Sequence, residues 1–199
     1  MLRAYFAGLA VGGSLIIAIG AQNATLLRVG LRRHHVGAAV AICVLGDASL
    51  IALGIGGLGS ILSNAHTILT AMRWLGALYL AWFAARSFHA AWRGGQILEE
   101  GNQPSRASIV LTMAAVTWLN PHVYVDTVMV LGTVSTQFAP HAWYFGAGAL
   151  TCSTVWFSTL GFGARYLRPF FRSPRTWRIL DLLVGLVVTS VAISLLKAL

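Results

Sequence analysis

The stretch VGAAVAICVLGDASLIALGIGGLG, residues 36–59, is apolar over nearly its whole length and carries one charged residue, Asp47, near its midpoint. About 20 predominantly apolar residues are enough for a helix to cross the hydrocarbon core of a bilayer. A carboxylate near the bilayer centre costs about 2.5–3.5 kcal/mol on insertion scales, and it is rare unless it faces a polar path or a partner. The stretch therefore predicts a transmembrane helix with a functional carboxylate in its middle.

A second aspartate, Asp126, lies in another long apolar run, residues 107–138. Two intramembrane carboxylates together cost about 5–7 kcal/mol, so their presence calls for a compensating role. Their shared charge indicates a path for a cationic or protonatable molecule.

The composition of the whole chain is that of an integral membrane protein. Of its 199 residues, 57% are hydrophobic and 10% are charged, whereas soluble domains carry about 25% charged residues. We predict an all-α fold in which six transmembrane helices form two inverted three-helix repeats. The six predicted spans are Ala4–Leu27, Val36–Gly59, Met72–Phe88, Ala107–Thr136, His141–Gly163 and Trp177–Leu196.

The formal net charge of +9 comes mainly from arginines that flank the apolar segments, so we expect no nucleic-acid partner. With six spans, three basic residues fall on one side of the membrane: Arg3, Arg73 and Lys197. The positive-inside rule places the other, arginine-rich side in the cytoplasm and both termini outside. Five spans with opposite terminus placement is the alternative. The eleven arginines of the arginine-rich side are Arg28, Arg32, Arg33, Arg86, Arg93, Arg106, Arg165, Arg168, Arg172, Arg175 and Arg178.

A polar linker, residues 94–106, divides the predicted single transmembrane domain into two halves, residues 1–93 and 107–199. Each half holds an odd number of predicted spans, so the halves would enter the membrane in opposite directions, as in many secondary transporters. The first span of each half carries a similar polar interruption, GAQNAT at 20–25 and WLNPHVY at 118–124. We therefore predict a repeat, with the linker in the cytoplasm.

Pro121 is expected to break the fourth span, because proline lacks a backbone donor and moves the preceding Asn120 away from helical dihedrals. A break also explains why the run 107–138 is longer than the roughly 20 residues of a straight span. Broken helices at membrane depth expose N–H and C=O groups that hold substrates or ions in transporters. The candidate site therefore includes Asn120, Pro121, His122 and the nearby Asp126, with a simple proline kink as the alternative.

Gln22 and Asn23 near the end of the first span are further candidates, because a side-chain amide can donate to a carboxylate and accept from an amine. A polar helix end at the membrane interface is the alternative interpretation. Asp181 is instead interpreted as structural. It lies near a helix N-terminus, three residues after Arg178, where a helical ion pair would suit it.

The sequence indicates no cofactor and no metal site, since it contains no HxxxH or CxxC pattern. Cys43 and Cys152 both lie within predicted spans and are interpreted as small buried residues. A membrane thiol oxidoreductase that uses both cysteines is the alternative function from a different class.

Three motifs in this order resemble the lysine/arginine exporter family, and most closely the bacterial arginine exporters. They are GAQNATLLRVGLRRHH at 20–35, CVLGDASLI at 43–51 and TWLNPHVYVDT at 117–127. The resemblance covers essentially the whole chain and includes LGALYLAW at 75–82. It implies that the functional residues are Asp47 and Asp126, with the Gln22–Asn23 and Asn120–Pro121 segments.

The resemblance also implies a function. It is that of a secondary active exporter of basic amino acids across the bacterial inner membrane, not of an enzyme. L-arginine is the expected substrate, with L-lysine or canavanine as further candidates, and proton entry is the expected driving force. The implied partners are the amino acid, the proton and the lipid bilayer; the oligomeric state is not indicated. An exporter of neutral amino acids or of a metal cation in the same superfamily is the nearest alternative.

Overall fold

The computed structural model of the chain describes residues 1–17, 20–58, 66–93, 104–118, 120 and 123–197. Over these residues the fold is helical and contains no strand, which confirms the all-α prediction. A π-helical turn, Gly54–Leu58, extends the helix Val36–Leu53, and Tyr124–Leu131 is π-helical as well. The described helices are α1 (Leu2–Ile16), α2 (Ala21–Arg32), α3 (Val36–Leu53), α4 (His66–Trp92), α5 (Arg106–Trp118), α6 (Tyr124–Leu131), α7 (Gly132–Thr136), α8 (Ala142–Leu167) and α9 (Pro174–Lys197).

Two helices in this part of the chain are long and apolar enough to cross a membrane alone, Val36–Gly57 and Pro174–Ser194. Together, α1 and α2 meet the same criterion as a bent pair whose axes differ by 81°. Shorter apolar helices are found at Arg106–Trp118 and Thr127–Thr136. The helices therefore fit a membrane protein, while the arrangement of six spans in two inverted repeats stays a prediction. Most of the predicted linker, residues 94–103, lies outside the described residues.

The first predicted span, Ala4–Leu27, contains a break next to the polar interruption predicted at 20–25. Helix α1 ends at Ile16, and α2 begins after Gly20, whose backbone is extended. The Asn23 side chain stabilises this interruption, because its Nδ2 donates to the Ile16 carbonyl at 2.9 Å. That carbonyl is one of the acceptors that a helix end leaves without a helical partner. An asparagine side chain thus competes with the backbone and ends the helix.

The predicted break in the fourth span is present. Helix α5 ends at Trp118, Asn120 is not helical, and α6 resumes the helix at Tyr124. The Tyr124 hydroxyl donates to the Trp118 carbonyl at 3.0 Å, so one freed acceptor is satisfied across the break. Pro121 and His122 lie outside the described residues, whereas the backbone of Asp126 belongs to α6.

Helix α8 is central to the packing, since it contacts α1, α2 and α3. Its backbone comes very close to that of α1 at two glycines. A Cβ atom on Gly8 would lie 1.9 Å from the Phe145 carbonyl oxygen, and one on Gly148 would lie 2.0 Å from the Tyr5 carbonyl oxygen. Membrane helices commonly associate through such small residues, because backbones can then approach closely.

Helices α4 and α9 form a separate pair, because they pack mainly against each other. The pair contacts α2 through a cluster of buried apolar side chains. Its buried members are Ala21, Ala24, Leu80, Phe83, Ala84, Val184, Val188 and Ala192. We call the boundary between the α4–α9 pair and the other helices the seam.

Candidate functional site

Both helix interruptions open onto one cavity of about 140 Å³ that also contains Asp47. The polar part of its wall consists of Gln22, Asn23, Asp47, Asn120 and Thr127. The apolar part comes mainly from α1, α4, α8 and α9. Four of the residues singled out in the sequence are therefore brought together, although they come from three separate parts of the chain.

Asp47 is 4% exposed, and its Oδ2 accepts a hydrogen bond from the Ser153 hydroxyl at 2.7 Å. Among the residues that the structure describes, the ion pair that forms is Arg28 with Asp181, so no described Lys or Arg neutralises Asp47. Helix α3 holds Asp47 beside the second break, because Gly46 lets α5 come close. A Cβ atom on Gly46 would lie 2.3 Å from Thr117 Cγ2. The result is a buried carboxylate that is solvated by a hydroxyl.

Gln22 and Asn23 lie in the first turn of α2 and line the cavity, which favours them as part of the site. Asn23 has a structural task there. Its Nδ2 holds the end of α1, and its Oδ1 accepts from Trp156 Nε1 at 3.3 Å. The Gln22 Nε2 atom is buried, and its described neighbour is the Cys43 thiol, which is only a weak hydrogen-bond acceptor. Gln22 is therefore the amide better placed to donate to a ligand.

The structure says less about the three remaining candidate residues. Asp126 lies in α6, directly before the lining residue Thr127, and both Pro121 and His122 lie outside the described residues. Sequence reasoning missed Ser153 and Thr127. A single serine in an apolar helix gives no signal of its own, whereas Thr127 could have been found from its place beside Asp126 in the third motif.

The predicted ion pair between Asp181 and Arg178 is wrong. Asp181 is 3% exposed and pairs with Arg28 of α2. The Nε of Arg178 donates instead to the Ala91 carbonyl at 2.9 Å, at the C-terminal end of α4. The last carbonyls of a helix lack helical donors, so they attract an arginine from a packed neighbour. Asp181 thus links α9 to α2 and not to its own helix.

The structure also bears on the cysteines and on metal binding. Cys43 and Cys152 are both free thiols, the first buried and the second half-buried. Over the described ranges, no group of three or more His, Cys, Asp or Glu side chains could hold a metal ion. Among the described lining residues, the cavity offers the Asp47 carboxylate, side-chain amides and the Thr127 hydroxyl to a ligand.

Comparison with known proteins decides the family. Residues 13–198 match the profile described as "LysE type translocator". The chain belongs to the LysE translocator family. One relative, named "Putative amino-acid transporter" in Mycobacterium tuberculosis, is 42% identical over 185 residues, or 92% of each chain.

Two further relatives of this LysE-family chain carry a more specific name, "Arginine exporter protein ArgO". The protein of Pectobacterium carotovorum is 36% identical over 200 residues, which are 99% of this chain and 98% of the relative. That of Yersinia enterocolitica is 36% identical over 201 residues, with the same coverage. No solved structure matches the chain.

The family resemblance drawn from the three motifs is confirmed. Membership of the LysE family, together with the names of its relatives, indicates a transporter and not an enzyme, so the thiol oxidoreductase alternative loses its support. The family and the apolar helices agree on a multi-pass membrane protein.

Proposed function

We propose that this LysE-family protein is a secondary active exporter of basic amino acids, chiefly L-arginine, across the bacterial inner membrane. One observation carries the proposal. Asp47 is a buried carboxylate in a cavity between two interrupted helices, and no described cationic side chain pairs with it. A site with this charge favours a cationic ligand, and the relatives named arginine exporters support L-arginine. L-lysine and canavanine are the alternative substrates.

In this proposal, Asp47 and Asp126 bind the substrate cation or the proton. A carboxylate can accept two parallel hydrogen bonds from a guanidinium group, which adds geometric selectivity. The α-amino and α-carboxylate groups are bound by Gln22, Asn120 and the backbone groups that the second break frees. Pro121 lacks the backbone donor that a continuous helix would need, and His122 follows it in the sequence.

The size of the cavity indicates a conformation that is not fully open to substrate. A cavity of about 150 Å³ can hold a molecule of benzene, and arginine has about twice as many non-hydrogen atoms. The cavity of about 140 Å³ therefore has room for part of the substrate. Binding of a whole amino acid requires the walls to move apart, as alternating access demands.

Energetics favour coupling to proton entry. Moving one positive charge outward against 100 mV, inside negative, costs about 2.3 kcal/mol. This cost equals roughly a fifty-fold concentration gradient. Exchange with one incoming proton cancels the net charge movement, and Asp47 or Asp126 would carry that proton when no substrate is bound.

The test is efflux from proteoliposomes preloaded with labelled L-arginine, with the pH gradient and the membrane potential imposed separately. We expect release above that of protein-free liposomes and faster release when the pH gradient drives protons inward. L-alanine and a divalent metal ion are loaded in parallel. Preferred release of either one would contradict the proposed substrate, while acceleration by membrane potential alone would contradict proton exchange.

The proposed orientation leads to a labelling prediction. A single cysteine at position 102, in the polar linker, should resist a membrane-impermeant thiol reagent in intact cells, because the eleven-to-three asymmetry of basic residues places the linker in the cytoplasm. The native Cys43 and Cys152 are replaced by serine beforehand. The same cysteine should react after the membrane is permeabilised. Labelling in intact cells would invert the topology.

A further inference from the structure

A second cavity, of about 480 Å³, lies between α2, α4, α5 and α9, away from Asp47. Its volume is in the range of roughly 300–1,000 Å³ that is usual for small-molecule sites. A smaller cavity of about 220 Å³ adjoins it. The two share five lining residues, namely Arg28, Arg32, Arg86, Thr25 and Thr112. We call this pair the basic cavities.

The charge of the basic cavities is opposite to that of the Asp47 site. Among the described residues, the larger cavity is lined by three arginines and by one carboxylate, Asp181, so basic side chains outnumber acidic ones. Asp181 already forms an ion pair with Arg28. Such a wall repels a cationic substrate and attracts an anion. Threonine hydroxyls and guanidinium groups are ordinary donors to phosphate oxygens.

The outer wall of the larger cavity is apolar and exposed. Leu111 is 72% exposed and Trp82 is 56% exposed, and both line the cavity. Leu78, one helical turn before Trp82, is exposed as well. In a membrane protein, such side chains contact acyl chains, and tryptophan is enriched at the headgroup level. The wall thus suits an amphiphile with an anionic head.

We infer that the basic cavities bind the phosphate headgroup of an anionic phospholipid such as phosphatidylglycerol. Arg32 and Arg86 contact the phosphate, and the acyl chains lie against Trp82 and Leu111. Basic pockets between transmembrane helices are known sites of acidic lipid headgroups. A free phosphate ion would use the arginines but would gain nothing from the apolar wall. The bound lipid would link α2, α4 and α5, which come from both halves of the chain.

The experiment follows the thermal stability of the purified protein in neutral detergent during lipid titration. Phosphatidylglycerol should raise Tm in a saturable manner, whereas phosphatidylcholine with the same acyl chains should not. The double variant Arg32→Gln/Arg86→Gln should bind phosphatidylglycerol about thirty-fold more weakly, since each arginine near an anionic lipid surface contributes about 1 kcal/mol. Arg28 is left unchanged, because it holds Asp181.

The matched control is Arg175→Gln, an exposed arginine that lines neither of the basic cavities. It should titrate like the wild type. Equal stabilisation by phosphatidylcholine would overturn the inference, as would an unchanged titration midpoint in the double variant. Inorganic phosphate or L-arginine as effective as the lipid would also overturn it, by indicating a free-anion site or a substrate vestibule. None of these outcomes depends on transport, so the exporter proposal is tested separately.

Discussion

Asp47→Asn should abolish L-arginine efflux while the protein still accumulates in the membrane. The substitution keeps the shape of the side chain and an oxygen that can accept from Ser153, but it removes the charge. Loss of a charged hydrogen bond costs about 1.5–3 kcal/mol, or roughly a 10- to 150-fold loss of substrate affinity. Loss of the titratable group also removes a proton carrier. Efflux from proteoliposomes, normalised to inserted protein, measures the effect.

Ser153→Ala is the matched control for Asp47→Asn. It removes the hydroxyl that donates to the carboxylate and leaves the negative charge in place. We expect reduced but measurable efflux.

Asp126→Asn should abolish efflux too, as the sequence motif indicates. Near wild-type efflux by Asp47→Asn would remove this carboxylate from the mechanism and leave Asp126 as the candidate for charge recognition.

Gly148→Ala should cause a large loss of folded protein. Its new Cβ atom would lie 2.0 Å from the Tyr5 carbonyl oxygen and 2.9 Å from the Leu9 backbone nitrogen. Both are backbone atoms of α1, so relief requires the whole helix to move away from α8. Overpacking of this kind typically costs about 1–3 kcal/mol, and occasionally more. The yield of monodisperse protein and its Tm in detergent report the effect.

Gly37→Ala provides the comparison for that glycine substitution. Gly37 is exposed in α3, and no atom lies within 4 Å of a Cβ placed there. Replacing a helical glycine with alanine is favourable by up to about 1 kcal/mol, so this variant should be as stable as the wild type or slightly more stable. If Gly148→Ala has the same Tm as Gly37→Ala, the α1–α8 contact is looser than described.

The sequence was sufficient to predict the helical membrane fold and the break near Asn120. An apolar run too long for one span and a proline in its middle are local features of the sequence, so they indicate a break without any knowledge of helix packing. The GAQNAT motif indicates an interruption of the first span as well, but hydropathy alone does not distinguish a polar helix end from a polar helix start. What decides between them is the bond from Asn23 to Ile16, which needs three-dimensional information.

The difference between local sequence features and three-dimensional packing also explains why the partners of two buried polar side chains were not predicted. Asp181 was assigned to Arg178, because residues three apart on a helix are neighbours. The actual partner, Arg28, lies 153 positions away. Ser153 is likewise brought to Asp47 by helix packing, from a distance of 106 positions. Short-range rules find charges that need a partner, but they cannot find a partner supplied by another helix.

The seam between the α4–α9 pair and the other helices has a mechanical consequence. The Asp47 cavity and the larger basic cavity both have α4 and α9 on one side and α2 on the other. At this seam, α2 contacts the α4–α9 pair through small apolar side chains and through the Arg28–Asp181 ion pair. The cluster buries alanines of α2 and valines of α9 against the larger Leu80 and Phe83 of α4. Because both cavities lie along this seam, a movement of α4 and α9 away from α2 would change the volume of both.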